Sequence, residues 1–128
     1  MIVNAHGGNR AAVAAALRRL DAEGRRCAAF SVSPRGGDAH AGRTETSMLL
    51  HLDPAAVRGE RAEPGERRPV NELMDRLRRE GVRPVSPNGV LGDPRGATAA
   101  EGLRLLEEET ADCVFVLDAL IGRVEANA

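Results

Sequence analysis

The sequence predicts an α/β fold with a mainly parallel sheet, and three observations point there. Two short apolar runs, at 2–4 and 27–32, each lead through a loop into a helix-period stretch, the alternation that lays strands side by side with helices across their faces. Capping residues and glycines bound the helical stretches. The apolar residues are aliphatic, with two Phe and no Tyr or Trp in a 42% hydrophobic chain, so core burial falls to dense layers of Leu, Val, Ile and Ala. At 128 residues the chain is long enough for one core and reads as a single domain over 1–128.

Each element has its own signal. Ile2-Val3-Asn4 reads as the end of a buried strand, and Met1 stands so close to it that the amino-terminal part of the domain is expected to be missing. A helix should run from Asn9, a good N-cap residue, through Ala11–Leu20, with Val13, Leu17 and Leu20 on one face and Gly24 as its stop. Cys27–Val32 suits a buried parallel strand, and Ser33–Gly37 a loop. Thr44–Leu52 reads as a short helix closed by Pro54, and the charged stretch Arg58–Arg68 as an exposed excursion.

Asn71–Glu80 is amphipathic, with Leu73, Met74 and Leu77 on one side and Gly81 as its stop. Pro84 and Pro87 limit Val82–Leu91 to an edge strand or an extended loop, and Gly89–Pro94 turns sharply. Thr98 and Glu101 stand at capping-box spacing and open a last helix, with room for a break near Asp112. Beyond it, Cys113–Leu117 reads equally as helix or strand.

Charge narrows the function classes. All 18 basic residues are Arg against 19 acidic ones, so no electrostatic footprint for nucleic acid or an anionic membrane is expected. The scarcity of aromatics removes stacking platforms for single strands. Without Lys there is no Schiff-base mechanism. Cys27 and Cys113 fit no metal-knuckle or redox spacing and read as reduced core thiols. No leader-like or membrane-spanning run stands out, so a cytoplasmic protein is expected.

In parallel sheets, sites form at the carboxyl ends of strands. His6 follows the first strand and Asp38–Ser47 follows the second after a short loop, so both are expected at one sheet edge. Gly7 and Gly8 let the backbone after His6 turn tightly, although such a histidine is as readily structural. Asp38 and His40 are two apart, which in extended backbone puts a carboxylate beside an imidazole to fix its tautomer. Glu45 falls in the first turn of the next helix, where it can point back as an oxygen ligand. The plainer alternative is that Asp38 caps a turn and Glu45 complements the helix dipole. His51 lies on a different face and reads as structural, Asp93 as a turn former. Thr46 and Ser47 have no histidine at nucleophile spacing, which argues against a Ser-His-Asp hydrolase.

Taken together, His6-Gly7-Gly8-Asn9, Asp38-Ala39-His40-Ala41-Gly42 with Glu45-Thr46-Ser47, and Gly89–Pro94 with Ala97-Thr98 and Gly102 resemble the creatininase family. The resemblance covers nearly the whole chain but only the carboxyl-terminal half of the family's domain. It implies a three-layer α/β/α sandwich and a dinuclear centre of divalent metal ions, zinc, iron or manganese, that cleaves amide-type C–N bonds. His6 and Glu45 match metal ligands. His40 matches the catalytic histidine, with Asp38 beside it. The family's Glu-x-His pair is absent. A catalytic zinc normally takes three protein ligands, so the chain alone is expected to hold one ion loosely and not the pair.

Over 33–106 the likeness is greatest to a branch of peptidases that trim a precursor peptide in redox-cofactor biosynthesis. Family alternatives are an amidohydrolase acting on a formamide or cyclic amide, or an inactive half-domain that oligomerises. The expected partners are a peptide or small amide substrate and, through open strand edges, further copies of the chain.

Overall fold

The computed structural model describes residues 1–125, and these separate into two compact units. A terminal unit combines Met1–Ser33 with the chain from Glu107 onward, and a central unit spans Pro34–Leu106. The α/β class with a parallel sheet is as the sequence predicts.

In the terminal unit, β1 (Ile2–Asn4) and β2 (Ala29–Ser31) pair in parallel, with Ile2 opposite Ala29 and Asn4 opposite Ser31. Between them runs α1 (Arg10–Ala22). Its end is the one Gly24 predicts: at φ +70° this glycine takes the left-handed turn that side chains resist. The Gly24 amide then donates to the Asp21 carbonyl at 2.9 Å and the Arg25 amide to that of Leu20 at 2.8 Å, closing a Schellman motif.

The start of α1 differs from expectation. The Asn9 side chain makes no cap and donates instead to Asn4 Oδ1 at 3.2 Å. A single 3-10 turn, Gly7–Asn9, precedes the helix, and there His6 Nδ1 accepts from the Gly8 amide at 3.0 Å. The capping role has moved from Asn9 to His6.

The remaining helix, α4 (Ala99–Glu125), is continuous, so the break near Asp112 and a strand at 113–117 are both corrected. Between Leu103 and Ile121 there is neither Pro nor Gly to stop propagation. The β-branched residues there cost only tenths of a kcal/mol each, about 0.5, against that background. Cys27 is exposed and Cys113 half-buried, so Cys27 is no core thiol.

The central unit holds α2 (Arg43–Leu52), single 3-10 turns at Pro54–Ala56 and Gly59–Arg61, α3 (Val70–Glu80) and the opening of α4. Leu73, Val85 and Leu91 form its buried cluster, with Leu77 packed against it. Val82–Leu91 builds no strand; it turns at Val82–Ser86 and contributes a lone antiparallel bridge between His40 and Leu91. The end of the Arg58–Arg68 excursion is more tied than its charge implies. Gly65 and Glu66 donate to the carbonyls of Gly92 and Val90, each at 3.0 Å. A Cβ on Gly65 would stand 1.9 Å from the Val90 oxygen, so only glycine permits that approach.

Candidate active site

The segment from Asp38 to Glu45 is organised by the amino terminus of α2. Asp38 Oδ2 accepts from the Arg43 amide at 2.6 Å and Oδ1 from the Thr44 amide at 2.9 Å, while the Asp38 amide donates to Thr44 Oγ1 at 3.3 Å. These are amides a helix cannot satisfy internally, and the carboxylate also meets the positive end of the helix dipole. Two glycines make room for it. A Cβ on Gly42 would lie 1.9 Å from Asp38 Oδ2, and one on Gly92 would lie 2.6 Å from Asp38 Cβ. Burial raises the Asp38 pKa, but the hydrogen bonds from Thr44 and the Arg43 amide outweigh it and leave the carboxyl below its ordinary range.

His40 therefore meets a different carboxylate from the one its spacing indicates. The chain turns at Ala41, a non-glycine residue at φ +50°, a conformation that costs on the order of 1 kcal/mol. Glu45 Oε2 accepts the Ala41 amide at 2.5 Å and lies 3.5 Å from His40 Nδ1. The Glu45 carboxylate thus steadies the strained turn and approaches the imidazole with the same oxygen. Both side chains are about half exposed, 55% and 52%, so solvent screens the pair. Asp38 faces the helix amides; Glu45 faces His40.

A cleft of about 610 Å³ opens beside this segment, with Asp38, Arg43, Arg67, Asp93, Arg95 and Glu101 in its walls. His40 and Glu45 are not among its lining residues. Its charges are locally matched. Arg43 Nε lies 2.7 Å from Glu101 Oε2, and Arg95 binds Asp93 through two nitrogens at 2.9 and 2.8 Å. The Arg95 hydrogen bond holds the Asp93 carboxyl down to about 2. Asp93 also accepts the Arg95 amide at 3.1 Å, the turn role its sequence position predicts.

Behind α2, fully buried Ser47 accepts the Thr98 amide and donates to Glu101 Oε2, both at 3.1 Å. Glu101 completes half of the expected capping box, its amide donating to Thr98 Oγ1 at 3.1 Å. Ser47 supplies the other half, because the Glu101 carboxylate is engaged by Arg43. Sequence reasoning missed Arg43, Arg67 and Arg95, and read Glu101 only as a capping residue. Arg95 was findable two residues after Asp93, whereas nothing local links Arg43 to a glutamate 58 residues away.

His6 belongs to the terminal unit and Asp38, His40 and Glu45 to the central one. His6 stands after β1, exposed, as its position predicts, and with Asn4, Arg10 and Ser31 it lines a pocket of about 180 Å³. Asn4 fixes the strand end, its side-chain amide donating to the His6 carbonyl at 3.0 Å. His51 is exposed on α2. Among the described residues, no three His, Cys, Asp or Glu side chains group as metal donors. The residues described thus do not by themselves fit the metal centre that the resemblance implies.

Comparison with known proteins defines the class. Residues 1–117 match the family model described as creatininase, creatinine amidohydrolase. The chain belongs to the creatininase family. Its relatives include the mycofactocin precursor peptide peptidases of Mycobacterium ulcerans and Mycobacterium tuberculosis, each 52% identical over 89% of this chain. The same alignments cover 46% and 45% of those proteins, so the chain spans under half their length. A crystal structure of a Bacteroides fragilis protein, assigned as a creatinine amidohydrolase, superposes with a TM-score of 0.68 at 25% identity. That match covers 90% of this chain and 51% of the other. No described helix is long and apolar enough to cross a membrane.

Proposed function

We propose that this chain carries part of a hydrolase site for amide-type C–N bonds, and that the substrate is a precursor peptide. The observation that carries the reading is the pairing of His40 with Glu45 at a strained turn, within a chain 52% identical to precursor peptide peptidases. With Nδ1 beside Glu45, the His40 ring has Nε2 to take a proton from the attacking water and pass it to the leaving nitrogen. That water's hydroxyl adds to the carbonyl carbon as the C–N bond breaks. Glu45 orients that ring. Asp38 is a positioning residue: it fixes the first turn of α2 and so the place of Glu45.

A divalent ion such as zinc, iron or manganese would find in this reading one donor in each unit, His6 in the terminal and Glu45 in the central, each short of a catalytic shell. Donors from beyond the described residues are required. A second reading, hydrolysis of a small or cyclic amide, draws on the family description and on the Bacteroides fragilis relative.

The test joins this chain to the part of the Mycobacterium ulcerans protein that it does not match. The product is supplied with each metal and with either a precursor peptide or a cyclic amide, and hydrolysis is followed by mass spectrometry. Peptide cleavage is expected, with His40→Ala lowering the rate about 100-fold. Turnover of the cyclic amide alone would overturn the peptide assignment, and full activity of His40→Ala would remove His40 from the mechanism.

A further inference from the structure

The segment Cys113–Ile121 of α4 is apolar on every side, with Asp118 and Ala119 the exceptions to large apolar side chains. A helix of that pattern is a core helix, since a helix with one wet face alternates. Here only one side is covered. Cys113, Val116, Leu117 and Leu120 are half-buried, whereas Phe115 is 75% exposed and Val114 and Ile121 are 47% and 46% exposed.

The rest of the terminal unit shows the same deficit. Val3 on β1 is 57% exposed, and every buried hydrophobic residue among those described, Leu73, Val85, Leu91 and Leu105, lies in the central unit. Burial of large apolar side chains such as Phe115 is the main favourable contribution to folding, so leaving several uncovered deprives the unit of it.

We infer that the exposed side of α4 at Val114, Phe115 and Ile121 is a docking surface. Its occupant is the polypeptide equivalent to that part of the family's domain which this chain does not match. Length argues for this occupant. Relatives that match 89% of this chain devote more than half of their own residues to something outside the match, and the solved relative leaves 49% (100 − 51) of its chain outside. A second copy would bring only the same helix and another His6. The unmatched part, more than half of those relatives' length, is polypeptide that no copy of this chain supplies. The docking holds whether or not the joined protein cleaves a peptide, so its failure is separable from failure of the proposed function.

The experiment co-expresses the full chain with the unmatched part of the Mycobacterium ulcerans relative and measures association by size exclusion with light scattering. A 1:1 complex is expected. Phe115→Asp should weaken it about 10-fold or more, while Leu52→Asp, 67% exposed in the central unit, leaves it unchanged. If two soluble polypeptides do not associate, the inference fails. It also fails if the chain alone forms a dimer that Phe115→Asp dissolves, because a second copy is then the occupant. Should the separate segment be insoluble, the two are joined in one chain. Phe115→Asp should then lower its melting temperature by about 4 °C or more, and an unchanged melting temperature overturns the inference.

Discussion

The terminal and central units solve the same problem with different means. The central unit carries every buried hydrophobic residue among those described and surrounds one carboxylate, Asp38, with helix amides and two glycines. The terminal unit has regular hydrogen bonding, a parallel strand pair and a well-made helix stop, but no buried apolar side chain among the described residues. Backbone hydrogen bonds specify shape; apolar burial supplies most of the stability. The difference teaches that His40 with Glu45 stands in a unit that buries apolar side chains of its own, whereas His6 stands in a unit whose described residues bury none.

The largest expected effects test that contrast directly. Leu73→Ala in the central cluster should cost about 3 kcal/mol in urea unfolding, and Leu17→Ala on half-buried α1 about 1 kcal/mol. Equal costs would break the comparison. Next come the glycines. A Cβ on Gly102 would lie 1.9 Å from the Ser47 carbonyl oxygen, whereas one on Gly7 meets nothing within 4 Å. Gly102→Ala should therefore cost about 2–3 kcal/mol and Gly7→Ala about 0.5 kcal/mol or less.

Smaller again is the cap. Asp38→Ala should cost about 1–2 kcal/mol, and Asp38→Asn less because asparagine caps nearly as well. The pH dependence has a definite sign. Asp38, Asp93 and Glu66 are all held below their ordinary values in the folded chain. Their contribution is therefore present above the unfolded-state pKa and lost as pH falls through the folded one. For Glu66 and Asp93 that loss runs from about 4.5 and 3.8 down to about 2. Asp38→Asn should flatten the acid limb of a thermal-melt series, and an unchanged limb would remove the cap from the account. The smallest effect is Phe115→Asp in the chain alone, within about 0.5 kcal/mol, because that side chain is already in water.

Much of the fold was legible because its signals are local. Gly24 and Gly81 stop α1 and α3, Pro54 follows α2, and Ile2–Asn4 pairs with Ala29–Ser31 within the two apolar runs, although no apolar residue of either strand is buried as expected. What escaped was relational. Asp38 lies two residues from His40 in sequence, yet it is drawn to amides at Arg43 and Thr44, because a half-buried carboxylate gains more from free helix donors than from a solvent-exposed ring. Glu45 accordingly takes the place beside His40 that spacing assigned to Asp38. The Arg43–Glu101 pair and the Ser47 cap on α4 depend on how two helices cross, which no local pattern announces. The continuity of α4 escaped for another reason: strand propensity at 113–117 is a weak bias that tertiary context overrides.

Native-state hydrogen exchange, resolved by residue on the chain alone, tests the central claim most directly. If stability resides in the central unit, amides around Leu73, Ser86 and Leu91 should exchange about 100-fold more slowly than those of Ile2–Asn4 and Ala29–Ser31. Equal protection in the two units, in a monomeric chain, would contradict it.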